Sequence, residues 1–231
     1  MTRYRSNLRT LLAVIFVFSA ALASRGQAVP AQETVDSQAL LELAKEQSIG
    51  FTTVKNAKGE YVNKRVVDDG TARAAQLIAG GADINARNEF GETPLIAAVA
   101  LHKIPLAKLL ITQGADVNAA LDEKHGDDAG ATALMIAASE GETDIVPLLI
   151  SKGAKVNAAT KVGRTALQSA VLNHERAMVA LLLRNNADAS SKDGDGKTAL
   201  QLAQEKKFAD IVLLLSSPAK QPVRAVPAPK P

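Results

Sequence analysis

Residues 117–134 read VNAALDEKHGDDAGATAL, and within them Asp122, Glu123, His125, Asp127 and Asp128 fall in seven consecutive positions. Carboxylates and an imidazole so close together are the side chains that a small metal site would use. Their order argues against two familiar solutions. A calcium loop spaces its oxygen ligands along twelve residues and closes on a glutamate, a pattern absent from this run. A zinc site needs a fuller ligand set than one imidazole. Two other uses of the stretch are contact with a partner through a charged tip and a plain solvated loop.

The rest of the chain offers little to a catalytic reading. The sequence has no cysteine, which removes disulfides, thiol nucleophiles and thiolate metal sites. His102 and His174 each stand nine residues after a recurring threonine, in a slot that Gly141 and Lys207 also fill. Nothing near either histidine in sequence makes a nucleophile, base and stabiliser set, so both read as solvated turn residues. No nucleophile elbow, phosphate loop or zinc-binding helix motif occurs. The expectation is a protein that is not an enzyme and has no cofactor and no metal.

The elements that carry these residues repeat. GETPL, GATAL, GRTAL and GKTAL place threonines at 93, 132, 165 and 198, which are 39, 33 and 33 residues apart. Leu95, Leu134, Leu167 and Leu200 follow at one offset, and Ala98, Ala137, Ala170 and Ala203 at another. Each unit ends in a second phrase: GADIN, GADVN, GAKVN or NADAS. A fixed period near 33 residues is the mark of stacked supersecondary units. Aromatic content of 3% against 47% hydrophobic residues points to an aliphatic core of packed helices. Threonine is placed to cap the first helix of each unit, and leucine and alanine to pack it closely against the next. Pro105 and Pro147 fall in the first turn of the second helix, where amide hydrogens have no intrahelical partner. Gly81, Gly114, Gly153 and Asn186 stand where that helix must stop.

These phrases resemble the ankyrin repeat family over about residues 71–215. The resemblance implies an all-α solenoid of helix-turn-helix units joined by β-turn fingers, and protein recognition through finger tips and inner helices. Two departures are evident. Proline follows the threonine only at Pro94, and the family's usual histidine is replaced by Ile96, Met135, Gln168 and Gln201, which should weaken individual turns. Candidate contacts are Arg87, Asn88 and Phe90 on the first finger, and Asp122, Glu123, His125, Asp127 and Asp128 on the second. Lys161 and Val162 follow on the third, with Lys192, Asp193 and Asp195 on the fourth. Phe90 and Val162 have an alternative use in covering the stack. The acidic run is an insertion in the second finger, because twelve residues separate Asn118 from Gly130 where six separate Asn85 from Gly91. Removing Asp122–Asp127 would restore the common spacing.

The expected organisation is a secretory signal peptide over 1–23, cut as late as 28, and a linker over 24–35. A degenerate capping repeat over 36–90 carries an irregular insert at 50–70. Repeats follow at 91–129, 130–162 and 163–195, then a C-terminal capping repeat over 196–217 and a Pro-rich disordered tail over 218–231. The signal reading rests on Arg3, Arg5 and Arg9 before the apolar run LLAVIFVFSAALA, which is too short to span a bilayer. Loss of those three arginines takes the formal charge from +3 to zero, so no basic face for nucleic acid is expected. The opening helix should start from Asp36 or Ser37, and the insert is either a hairpin turning at 56–59 or a degenerate helix. The polar Gln204 and Glu205 cap the last unit. The tail has no core-forming pattern, so its removal should leave the melting temperature unchanged.

The leading expectation is a periplasmic or secreted scaffold that binds one protein partner, as a monomer without a membrane anchor. Two alternatives are a secreted effector acting on a host protein and a metal-binding or hydrolytic protein using residues 122–128.

Overall fold

The computed structural model describes residues 32–45, 48–55, 61–68 and 70–216. The signal segment, most of the linker, the tip of the insert and the Pro-rich tail lie outside the described residues. Helix α1 spans Gln32–Lys45, strands β1 and β2 span Ser48–Lys55 and Tyr61–Asp68, and α2 spans Thr71–Ala79. Four helix pairs follow: α3 (Pro94–Ala100) with α4 (Ile104–Thr112), then α5 (Ala133–Glu140) with α6 (Val146–Ser151). The last two are α7 (Ala166–Leu172) with α8 (Arg176–Arg184), and α9 (Ala199–Glu205) with α10 (Ala209–Ser216). First helices stack on first helices, α3 on α5 on α7 on α9, and among the second helices α2 packs on α4, α4 on α6, and α8 on α10.

Small side chains set the spacing of this stack. Ala98, Ala137, Ala170 and Ala203 are fully buried, and so are Leu110, Leu149 and Leu182 on the second helices. Ile145 and Val146 are buried as well, and Pro105 and Pro147 sit in the first turns of α4 and α6. Thr93, Thr165 and Thr198 accept hydrogen bonds from the backbone N–H three residues on. Thr132 is the exception, since its side chain makes no cap bond; Thr132 bridges to Ala120 as Thr165 does to Ala159.

The chain reverses twice in each unit with one device. After α2, Gly81 takes φ 96°, its N–H donates to Ile78 O, and Ala82 N–H donates to Leu77 O. These bonds satisfy two carbonyls at the end of the helix. Gly114, Gly153 and Asn186 repeat the device after α4, α6 and α8. Between the helices of each pair His102, Gly141, His174 and Lys207 all have positive φ; the three non-glycine residues make the corresponding bonds, while Gly141 N–H donates to Ala137 O, which also accepts from Glu142 N–H.

Two expectations need correction, at the N-terminal end and in the turns, and one open alternative is decided. Helix α1 begins at Gln32, not at Asp36 or Ser37, and the Ser37 hydroxyl accepts the Asp83 N–H at 2.9 Å. The insert is a two-stranded antiparallel hairpin with Ser48 opposite Asp68 and Lys55 opposite Tyr61, so its paired part runs over 48–68. Gln168 does not weaken its turn. Its Oε1 accepts Thr165 N–H at 2.9 Å, and its Nε2 donates to Ser191 O and Lys197 O at 3.1 and 3.0 Å. One buried amide therefore closes a capping box and holds the next finger.

At the N-terminal end the buried Lys103 Nζ donates to Leu43 O at 2.8 Å, where the carbonyl end of α1 favours a cation. Lys45 lies 3.8 Å from Glu92. At the other end Gln204 is exposed where Val99, Ala138 and Val171 are buried in the inner units, and Glu205 is exposed where Ala100, Ser139 and Leu172 are half-buried.

Candidate functional site

The four fingers are joined to one another through the main chain. In the first, Asn88 N–H donates to Glu92 O and Gly91 N–H returns to Asn88 O. Thr160 with Arg164 and Gly163, and Asp193 with Lys197 and Gly196, repeat the pattern. Adjacent fingers are then bonded in a row: Asp122 N–H to Phe90 O at 3.4 Å, Lys161 N–H to Ala129 O at 2.7 Å, and Gly194 N–H to Val162 O at 2.7 Å. Gly194 is required there, since a Cβ would lie 2.9 Å from the Val162 oxygen. Asparagines add a second row below. Asn85, Asn118 and Asn157 accept N–H groups of Asp116, Lys155 and Asp188 through Oδ1, at 2.7–2.9 Å. The Ser37 hydroxyl does the same for Asp83.

This row fixes the register of the insertion. Leu121 N–H bonds Ala131 O and Gly130 N–H bonds Leu121 O, which are the finger bonds made elsewhere by residues three and four apart. Asp122 donates to the preceding finger and Ala129 accepts from the following one, so both occupy regular turn positions. The extra six residues are Glu123–Asp128, one position later than the spacing alone suggested, and they form a short 3-10 segment broken at Gly126, whose φ of 59° and ψ of −119° are not helical. Asp122 caps it by accepting Lys124 N–H at 2.9 Å.

The insertion is clamped from both sides. Lys124 Nζ donates to Glu89 O at 2.5 Å, and the Phe90 ring meets the His125 imidazole edge-on at 5.9 Å between centroids. Toward the third finger, Glu123 pairs with Lys161, and Asp128 lies 4.0 Å from Arg164 Nη1. Burial pushes the Asp128 carboxyl above the usual carboxylate range, with His125 opposing and Asp127 assisting. Burial likewise lowers the Arg164 guanidinium, against the pull of Asp193 and Asp195. Two of the five acidic-run candidates are thus engaged by cations of the neighbouring finger. Among the described residues, no three of His, Asp and Glu are grouped to hold a metal.

The other candidates divide. Asn88 and Asp193 are turn-forming. Asn88 Oδ1 accepts Phe90 and Glu92 N–H, and Asp193 Oδ1 accepts Asp195 and Lys197 N–H. Arg87 Nη1 donates to Ala120 O at 3.0 Å and so spans to the second finger. Phe90 and Val162 are half-buried, the first against His125. Asp127, Lys161, Lys192 and Asp195 are exposed along the row. Lys124 and Arg164 were missed; both work through contacts 35 and more residues away in sequence or between fingers, for which no local pattern exists.

His102 and His174 stand exposed in their turns, as the sequence suggests, and each also has a carboxylate neighbour from the following unit. His102 Nδ1 lies 2.6 Å from Glu142 and its Nε2 3.4 Å from Glu140. His174 Nε2 lies 2.9 Å from Asp210, and its ring stacks on Phe208 at 4.1 Å.

No helix of the described residues is long and apolar enough to cross a membrane. A comparison with curated proteins finds no match. A family model described as ankyrin repeats in three copies matches residues 65–160 and 157–224, which span both the finger row and the helix pairs behind it. Repeated capped helix pairs, paired left-handed turns and bonded fingers agree with that match over most of the sequence, and the chain belongs to the ankyrin repeat family.

Proposed function

We propose that this protein is an exported scaffold that holds one partner protein along its finger row and inner helices, as a monomer and without catalysis. Ankyrin repeats are generally non-catalytic protein-binding scaffolds. The observation that carries the reading here is the bonded finger row with its clamped insertion. A recognition surface whose main chain is already ordered loses little conformational freedom when a partner docks. Export rests on the arginine-flanked apolar run at the N-terminus. Cell fractionation separates a periplasmic scaffold from a secreted effector, and recovery of the native protein from the cytosol would overturn both.

The partner is to be sought by affinity capture from the native envelope fraction, followed by calorimetry with the purified pair. Deleting Glu123–Asp128 joins Asp122 to Ala129 and leaves Leu121-Asp122-Ala129-Gly130, the finger geometry of the other units. The helical circular dichroism should remain native, because stacking behind a finger does not depend on its tip. Partner affinity should fall about tenfold or more, equivalent to roughly 1.4 kcal/mol. Its salt dependence should weaken too, since Asp127 is an exposed charge of the insertion. Unchanged affinity and salt slope would reduce the insertion to a structural embellishment.

A further inference from the structure

The last helix pair ends the described stack, and its outer face shows what an inner pair hides under its successor. Gln204 and Ser216 put polar side chains in the slots filled by buried Val99, Ala138 and Val171, and by buried Ile111 and Leu183, as the end of a solenoid requires. The substitution is incomplete. Val212 is half-buried in the slot where Ala107, Val146 and Val179 are fully buried, and Leu215 in the slot where Leu110, Leu149 and Leu182 are. Leu213, in the slot of Lys108, Pro147 and Ala180, is 73% exposed, the one large hydrophobic side chain so open among the described residues. Together with Gln204, Lys207 and Ala209, Val212 and Leu213 line an open groove between the end of α9 and α10.

We propose that this groove is a docking surface for an acidic amphipathic helix of a protein partner, which takes the place that a further repeat would occupy. Two observations select that occupant. The first is shape. In the inner pairs the equivalent slots are covered by helices of the next pair, so the groove has the form that a helix fills with apolar anchors at i, i+3, i+4 and i+7. The second is charge. Both carboxylates beside the groove are already engaged by side chains of this chain, Glu205 by Lys197 and Asp210 by His174 and Arg176. Lys206 and Lys207 are exposed and form no ion pair among the described residues, so the rim of the groove is positive. Carboxylates flanking an apolar helix face would meet both features at once.

The same observations argue against nearer occupants. The sequence after Ser216 has five prolines, three cations and no carboxylate, which is the wrong composition for a helix and the wrong sign for a rim of lysines. A second copy of this chain docked through the same end would bring lysines against lysines. An anionic lipid surface answers the charge but not the shape, because a flat surface meets Leu213 and leaves the recess at Val212 unfilled. The proposal is independent of the finger row and of the partner sought there.

The test is fluorescence anisotropy with a synthetic peptide of about 18 residues, long enough to form a helix, with leucine at i, i+3, i+4 and i+7 and glutamate along both flanks. Its control carries lysine in place of glutamate. The full chain should bind the glutamate peptide at least about tenfold more tightly than the lysine one. Leu213→Ser changes an exposed site that the fold does not depend on, and should weaken binding about tenfold through loss of one apolar anchor. Lys207→Gly removes the charge while suiting φ of 59°, and should weaken binding about fivefold. Both variants should keep the native circular dichroism. Absence of binding, equal affinity for the two peptides, or affinity unchanged in both variants would overturn the proposal. Binding that tightens on removal of residues 217–231 would make that segment the occupant instead. A dimer that Leu213→Ser dissolves in sedimentation equilibrium would make it a second copy. Leu213-dependent binding to vesicles of equimolar phosphatidylcholine and phosphatidylserine, without peptide binding, would make it a lipid surface. Each of these three results would equally overturn the helix.

Discussion

Replacing Gln168 by leucine should lower the unfolding free energy by about 2–4 kcal/mol, although the two side chains are similar in size and the site is buried. Gln168 is 1% exposed, and its amide satisfies three main-chain groups at once. Oε1 accepts from Thr165 N–H, while Nε2 donates to Ser191 O and Lys197 O on the following finger. Leucine leaves that N–H and both carbonyls without the amide, and a buried polar group stripped of its partner costs about 1–3 kcal/mol. Hydrophobic gain does not offset this, because the glutamine methylenes are already out of water. Gln201 provides the internal control. It makes the same capping box with Thr198 but is exposed, and among the described residues no further finger is bonded to its amide. Gln201→Leu should therefore cost only the cap, about 0.5–1 kcal/mol. Urea denaturation of the two variants gives the comparison directly. Equal losses would mean that the finger bonds of Gln168 contribute nothing beyond the cap.

That asymmetry between two identical sequence positions shows what the sequence did and did not disclose. The threonines, the buried alanines and the left-handed glycines follow from local geometry, and their 33-residue recurrence made the solenoid legible. Contacts between units are different. Nothing near Gln168 in sequence indicates Ser191 or Lys197, and the contacts of His174 with Asp210 and His102 with Glu142 join residues 36 and 40 apart. Such pairs become visible only once the repeats are laid side by side, because each partner sits one unit on, in a neighbouring slot. The insertion illustrates the same limit at finer scale. Counting residues gave its length of six, but its register depends on which amide bonds the adjacent finger, and that assigns it to Glu123–Asp128 rather than Asp122–Asp127. The start of α1 was misjudged for a related reason. Ser37 is a good N-cap residue by type, yet its hydroxyl accepts from Asp83, 46 residues away, and the helix runs on past it. At the finger tips, Asn88 and Asp193 are candidate contacts by their place on the fingers, and the structure adds a second use for them. Their side-chain oxygens close the finger turn.

Gly153→Val should destabilise the protein by about 2 kcal/mol, and the reason is conformational rather than steric. A Cβ built on Gly153 meets no atom within 4 Å, so there is room for a larger residue. The obstacle is φ of 89°, a backbone region that L-residues enter at a cost of about 1–2 kcal/mol and that branching at Cβ penalises further. The conformation cannot simply relax. Gly153 N–H donates to Ile150 O and Ala154 N–H to Leu149 O, closing the end of α6. The Gly153 carbonyl also accepts from Asn118 Nδ2 at 3.0 Å, so a change of φ would pull on the row of asparagines that links the units. Valine at this position must either hold the strained backbone or lose bonds on both sides. The last inner unit already contains the milder substitution, since Asn186 fills the equivalent slot at φ 63° and its carbonyl accepts from Asn157 Nδ2 in the same way. Gly153→Asn should accordingly cost well under 1 kcal/mol, because asparagine tolerates the left-handed region. A loss of about 2 kcal/mol corresponds to a fall of roughly 4–8 °C in melting temperature for a domain of this size, against about 2 °C or less for asparagine. If valine and asparagine melted together near the unsubstituted protein, the left-handed turn would not be what ends α6. If both fell by the larger amount, space and not φ would be limiting, contrary to the open surroundings of the Cβ.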